Sequence, residues 1–287
     1  MLYLSSFSFP DAEREFDHRL TVKRTCYNTL YPFGVLSARG LDTLHFEPLT
    51  MLCGGNGSGK TTALNVMAEK LGLLRQSAYN RSSFFEEYLA LCQYELKRPI
   101  PPDSRVITSD DVFDFMLDLR ALNAGVDRQR EEVFEEYNEL RRGEFRLRSL
   151  EDYDRLRQVV RARSRTQSRF TREEAGGNPR ERSNGESAFG YFTERIGEDG
   201  LFLLDEPENS LSPVRQQELA AFMRDSVRFY SCQFIVATHS PFLLALPGAR
   251  VYDLDSVPAA VRPWTQLPPV RAYFDFFKEH AEELEDE

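Results

Sequence analysis

Residues 49–72 read LTMLCGGNGSGKTTALNVMAEKLG, and a segment of this kind leaves the chain few ways to fold. Leu49–Cys53 is a short apolar run that stops at glycines, the pattern of a strand buried on both faces. Gly54-Gly55-Asn56-Gly57-Ser58-Gly59-Lys60-Thr61 follows and fits G-x-x-x-x-G-K-[ST]. Glycines let the backbone curl tightly and turn successive N–H groups toward an anion. Leu64, Met67, Ala68 and Leu71 then recur at helical spacing, with Gly72 as the stop. The start of that helix adds a positive end to the glycine loop. In such a site Lys60 reaches the β- and γ-phosphates, the Thr61 hydroxyl ligates Mg²⁺, and Thr62 can donate to the α-phosphate. A plain glycine-rich turn is the rival reading, and the strand before and helix after weigh against it.

Three further segments bear on the same chemistry. Leu201-Phe202-Leu203-Leu204 delivers Asp205, Glu206 and Pro207 at the end of a second apolar run. There Asp205 can enter the shell of Mg²⁺ and Glu206 can orient an attacking water; Glu208 is a helper or an exposed charge. Ser183-Asn184-Gly185-Glu186-Ser187 precedes a stripe of Ala188, Tyr191 and Phe192, so a serine and a glycine stand at a helix start. Phe234-Ile235-Val236-Ala237 is a third strand-like run, and His239 follows it within reach of a γ-phosphate. Alone, the serine is an ordinary cap and the histidine an ordinary loop residue. Leu219, Phe222 and Met223 mark a crossover helix between the last two strands, and Val251–Leu254 a final strand. Runs apolar on both faces, joined by helices, give an α/β fold with a largely parallel sheet.

The middle of the chain differs in character. From about 110 to 182 it is polar, helix-prone and rich in Arg and Glu, with stripes at Val133, Tyr137, Leu140 and at Tyr153, Leu156, Val160, and Gly143 between them. Both helices read as too short for a coiled-coil arm. Thr171–Asn184 reads as a loop returning to the core, and Lys278–Glu287 as a solvated acidic tail. The expected organisation is residues 1–75 as the first half of the core, 76–182 as an inserted helical lobe, 183–256 as the second half, and 257–287 as a C-terminal segment.

Taken in this order, the four motifs resemble the ABC-type ATPase superfamily, and within it the SMC/RecF/Rad50-like branch with its compact bacterial members. The resemblance covers about residues 20–72 and 180–254. It implies that Ser183 and Gly185 match the signature motif, with Asn184 in place of the usual first Gly and Glu186 in place of the usual Gln. Asn209-Ser210-Leu211-Ser212 matches the D-loop, and His239 the switch histidine. It further implies ATP and Mg²⁺ as ligands, with Glu206, His239 and Lys60 acting in hydrolysis. Gly54, Asn56, Gly57, Ser58, Gly59, Lys60, Thr61 and Thr62 line the nucleotide, and Thr61 and Asp205 hold the metal. Two copies pair head to tail, each ATP lying between one copy's phosphate loop and the other's signature. Compact relatives act in genome maintenance or anti-phage defence beside a separate effector. The Q-loop glutamine has no plain counterpart: Val106–Asp111 offers carboxylates, and Gln93 lies in a helical-looking stretch. Arg24 is a candidate contact for phosphate or base. A non-hydrolysing ATP-dependent scaffold and a transporter ATPase subunit stand as alternatives.

Composition bounds the partners. A net charge of -10 and a pI near 5.1 argue against a protein coated all over in nucleic acid, while leaving room for a local basic patch. That patch is Arg155–Arg172, with seven arginines in eighteen residues. DNA or RNA, an effector protein, and pairing with glutamates such as Glu131, Glu132, Glu135 and Glu136 all fit it. The N-terminus lacks a basic, apolar leader, no run is long enough to span a bilayer, and Cys26, Cys53, Cys92 and Cys232 form no metal-binding pair. A cytoplasmic protein with no membrane partner is expected.

Overall fold

The computed structural model describes residues 1–22, 27, 29–143, 153–175 and 184–285, with Asn184 and Gly185 as backbone alone. Ser183, Arg24, Cys26 and the first part of the signature segment therefore lie outside the described residues. The strands are β1 (Leu4–Ser8), β2 (Thr43–His45), β3 (Leu49–Cys53), β4 (Gln93–Leu96), β5 (Arg105–Thr108), β6 (Gly200–Asp205), β7 (Cys232–Ala237), β8 (Arg250–Asp253) and β9 (Ala260–Val261). The helices are α1 (Ala12–Thr21), α2 (Lys60–Leu71), α3 (Phe85–Leu91), α4 (Ser109–Arg142), α5 (Tyr153–Ser164), α6 (Gln167–Ala175), α7 (Asn184–Arg195), α8 (Pro213–Phe229), α9 (Pro241–Leu244), α10 (Pro268–Glu279) and α11 (Ala281–Glu285). They form two compact units, Met1–Phe113 with Asn184–Glu287, and Asp114–Ser183.

The first unit is built on a six-stranded sheet in the order β5-β6-β7-β3-β8-β9. All its pairings are parallel except the edge pair β8–β9. β3, β6 and β7 are buried along their whole length, as their uninterrupted apolar sequences require of strands covered on both faces. Register then fixes the site. Thr108 pairs with Asp205, Asp205 with Ala237, Ala237 with Leu52, and Leu52 with Tyr252, so five strands end at one level of the sheet. In open α/β sheets that carboxyl edge is where ligands bind.

A smaller antiparallel sheet, β2-β1-β4, adds to the same unit. Gln233, wholly buried on β7, ties it down: its Oε1 accepts from the Tyr3 and Leu4 amides at 2.8 and 2.9 Å, and its Nε2 donates to the Leu4 carbonyl at 2.8 Å. This sheet corrects one expectation. Gln93 does not lie on a helix; α3 ends at Leu91, and Gln93 opens β4, paired with Ser8. Ladder bonds to β1 override the local helix preference of that stretch.

Residues 76–113, expected in the lobe, also belong here, because β4 joins the small sheet and β5 the large one. The second unit is helical. Tyr137, Ala162 and Phe170 form its core, with Val133 and Leu140 packed on them and the Tyr137 and Phe170 rings 5.4 Å apart. The α5 stripe is shifted from the expected one: Val159 and Ala162 are buried, while Tyr153 and Val160 are more than half exposed. α4 is also longer than expected, 34 residues, or about 51 Å at 1.5 Å per residue. Thr171–Ala175 continues α6 instead of opening a loop. The acidic tail is helical through Glu285, and α10 leaves Tyr273, Phe274, Phe276 and Phe277 about half exposed.

Candidate functional site

The glycine loop is shaped by its glycines at two points. Gly57 and Gly59 have φ of 78° and 95°, left-handed values that L side chains adopt at a cost. A Cβ on Gly59 would also stand 2.8 Å from Leu36 Cδ2, and one on Gly54 2.7 Å from Ser58 Oγ. α2 starts at Lys60 directly behind this curl and ends at Gly72, whose left-handed turn returns its N–H to Ala68 and Glu69. Lys60 is 4% exposed; its Nζ donates to the Gly54 and Gly55 carbonyls at 2.5 and 3.2 Å. On the outer side, Asp255 accepts from the Gly55 N–H at 2.7 Å and Arg39 donates to the Gly57 carbonyl at 3.4 Å.

The motifs from the other strands converge on this loop. Thr61 Oγ1 donates to Asp205 Oδ1 at 3.2 Å. Glu206 sits in a left-handed turn (φ 48°, ψ 52°), with its N–H bonded to the Ala237 carbonyl at 2.9 Å. Its carboxylate is met from three directions: Oε1 lies 3.5 Å from His239 Nε2 and 3.9 Å from Lys60 Nζ, and Oε2 accepts from Asn209 Nδ2 at 3.0 Å. Thus Lys60, Thr61, Asp205, Glu206 and His239, spread over 180 residues of sequence, share one site. Gly185 is the second residue of α7, after Asn184, and Ser183 lies outside the described residues.

A cleft of about 550 Å³ opens beside this cluster, lined among others by Tyr31, Thr61, Thr62, Tyr79, Thr108 and Asp205. Tyr31 and Tyr79 escaped the sequence reading. The Tyr31 hydroxyl donates to Thr62 Oγ1 at 3.2 Å, and Arg75 stacks 4.1 Å over the Tyr79 ring while bonding Asn65. Burial lowers the Arg75 pKa. No local pattern marks these residues, since only the packing of distant loops brings them to α2. Of the two Q-loop candidates, Val106–Asp111 reaches the cleft through Thr108, Ser109 and Asp110. Asp111 is occupied otherwise: its carboxylate accepts from the amides of Ser77 and Thr108 at 2.8 and 2.7 Å. Gln93 lies on the other sheet.

Burial pushes the Asp205 carboxyl up to about 6, with the Glu206 and Glu208 charges adding to the rise and the Thr61 hydrogen bond and Lys60 opposing it. A carboxyl whose folded pKa is raised binds its proton more tightly when folded. Its contribution to stability is therefore fully present below the unfolded value near 4 and is lost as pH rises through about 6. Asp205→Asn removes this burden. It is expected to stabilise the ligand-free protein by about 1–3 kcal/mol at pH 7.5, with the gain vanishing at pH 4. Urea titrations at both pH values check this, and an equal effect at the two would refute it.

Comparison with known proteins agrees with this arrangement. Residues 128–245 match a family model described as "AAA domain, putative AbiEii toxin, Type IV TA system", a span that carries Asp205, Glu206 and His239. That span covers less than half of the chain, and the glycine loop on β3 lies outside it. The chain carries an α/β P-loop fold, with the glycine loop set between β3 and α2 of a largely parallel sheet. The recognition drawn from the sequence is thereby borne out, as is the α/β class. No protein of curated function matches the chain. Among solved structures, it is similar to an Smc head domain with an extended coiled coil bound to the C-terminal domain of ScpA from Pyrococcus furiosus. That likeness has 13% identity and a TM-score of 0.45, covering 98% of this chain and 100% of that one. It is also similar to the SMC head domain from Thermotoga maritima (11%, 0.40, 91% and 99%) and to an SmcHead bound to the C-winged helix domain of ScpA (14%, 0.38, 77% and 92%). Among the described residues, no helix is long and apolar enough to cross a membrane.

Proposed function

We propose that the protein binds ATP with Mg²⁺ and hydrolyses it, using the nucleotide to hold two copies together head to tail. The observation that carries this reading is the position of Glu206 between Lys60 and His239, beside the Thr61–Asp205 pair. A loop that only gripped phosphate has no use for a carboxylate there, because a negative charge beside a phosphate weakens binding unless it takes up a proton or orients a water.

The residues fit both ligands. The glycine curl is a cradle that added Cβ atoms would fill, and Lys60 is a buried cation with two carbonyls as its nearest partners. Thr61 and Asp205 offer one hydroxyl and one carboxylate oxygen to a hard cation that keeps waters and phosphate oxygens as its remaining ligands. Bound Mg²⁺ would supply charge neutralisation at the β- and γ-phosphates. Within the chain, Lys60 holds the phosphates, Glu206 accepts a proton from the attacking water, Asn209 fixes the carboxylate's orientation, and His239 reaches toward the terminal phosphate.

Ser183 and Gly185, the signature residues, would close the partner's site, so that loss of the γ-phosphate loosens the pair. The coupled partner is read as an effector protein, in a setting such as genome maintenance or defence against phage. The salt bridges of the Arg155–Arg172 segment favour this over nucleic acid: Glu173 engages Arg161, Arg165 and Arg169, and Glu174 engages Arg161 at 2.5 Å. Among the described residues, these two glutamates engage three of the seven arginines. The test is size analysis with ATP–Mg²⁺, with ADP–Mg²⁺ and without nucleotide, alongside phosphate release. A dimer specific to ATP, together with turnover above background, is expected; a monomer under every condition overturns the sandwich. Gel shifts with DNA and RNA at several salt concentrations are expected to show no salt-dependent complex.

A further inference from the structure

The loop that carries His239 leaves β7 at Ala237 and has no sheet ladder to hold it. The Thr238 N–H still reaches across to the Leu52 carbonyl at 3.1 Å, the last bond of the sheet on this side. Beyond it the main chain is gripped by one carboxylate. Glu208 Oε1 accepts from the N–H of His239 at 2.5 Å and from that of Ser240 at 3.2 Å. Ser240 is fixed in turn, since its N–H also meets Thr238 Oγ1 at 3.0 Å and its hydroxyl donates to Gln216 Oε1 at 2.7 Å.

Glu208 and Glu206 come from the same tight turn. Pro207–Ser210 is a short 3₁₀ segment entered through the left-handed Glu206, which sends both carboxylates toward the β7 loop. One of them meets the His239 ring and the other its backbone. Acceptance of two adjacent N–H groups by one charged oxygen is the stronger kind of hydrogen bond, about twice a neutral one. The remaining oxygen of Glu208 is buried and has no hydrogen-bond partner, so the clamp works through Oε1 alone. We propose that Glu208 is a positioning residue which, by holding the His239 and Ser240 amides, keeps the His239 ring within reach of Glu206 and the terminal phosphate. This rests on the hydrolytic reading above.

Two measurements test it. The first is amide hydrogen exchange of the segment following Ala237. Glu208→Ala is expected to speed exchange at His239 and Ser240 by about tenfold or more, and Glu208→Gln, which keeps an acceptor oxygen, by much less. Unchanged exchange in Glu208→Ala overturns the clamp whether or not the protein hydrolyses ATP. The second is a double-mutant cycle on kcat. Glu208→Ala alone is expected to lower kcat about tenfold with the KM for ATP within about twofold. In a His239→Ala background the same change is expected to cost less than about twofold of the residual rate. Equal losses in both backgrounds would mean that Glu208 serves the fold in general and not His239. A wild type with no turnover removes the hydrolytic reading and leaves the exchange result to decide the clamp.

Discussion

Glu206→Gln is expected to lower the rate of ATP hydrolysis by about 10²- to 10⁴-fold while leaving ATP binding close to that of wild type. The substitution is nearly isosteric, so the left-handed turn, the amide bond to Ala237 and the acceptor for Asn209 can all persist. What disappears is the basic oxygen that lies 3.5 Å from His239 Nε2 and 3.9 Å from Lys60 Nζ. In the proposed site, binding draws on the glycine loop, Lys60 and Thr61, none of which the substitution changes. A negative charge beside the phosphates is also lost, and that favours the bound state. The variant should therefore accumulate as an ATP-bound dimer that ADP does not support. Single-turnover phosphate release and size analysis read the two effects separately. A Glu206→Gln protein that hydrolyses ATP at the wild-type rate sinks the role given to this carboxylate. Equal near-background rates in both proteins would favour an ATP-held scaffold instead.

The parts of this site that could be read in the sequence are those whose geometry is local. A buried strand, a curl of glycines and a helix start are contiguous in residues 49–72, and each needs residue types that few other structures demand. Asp205 and His239 were readable for a related reason: each follows an uninterrupted apolar run, and a parallel sheet places the ends of such runs side by side. What escaped was everything decided by packing between distant segments. Thr108 stands beside Asp205 because β5 is the edge neighbour of β6, which nothing in VITSDD announces. Tyr31 reaches Thr62, Leu36 crowds Gly59, and Glu208 reaches back to the loop after β7, all across long sequence separations. Gln93 was misplaced because a four-residue strand embedded in helix-forming residues is stabilised by its partner, β1, and not by its own sequence. On α5, both Tyr153-Leu156-Val160 and Val159-Ala162 follow helical spacing. The large side chains point to the first stripe, but Ala162 packs with Tyr137 and Phe170, and Val159 is buried beside it in sequence.

Phe234→Ala is expected to destabilise the first unit by about 3–5 kcal/mol, the largest effect on stability foreseen for a single change in this sheet. Phe234 on β7 is fully buried, pairs in register with Phe202 on β6, and stacks on it with ring centroids 5.6 Å apart. Truncation removes the ring's contacts with Phe202 and leaves a cavity between strands whose main-chain ladders prevent collapse. Against a usual total of about 5–15 kcal/mol, that loss is large enough to unfold a sizeable fraction at 37 °C. The urea midpoint should fall with its slope unchanged, and Tm by roughly 6–20 °C. The expected kinetics differ in kind from those of Glu206→Gln. β6 and β7 present Asp205 and His239 correctly in every molecule that is folded, so activity should fall with the folded fraction and return at low temperature or with saturating ATP, because ligand binding to the folded state restores it by mass action. A Phe234→Ala protein that is stable yet inactive would mean that the sheet transmits strain directly to its carboxyl edge. In that case the register of β6 against β7 would itself be part of the catalytic geometry.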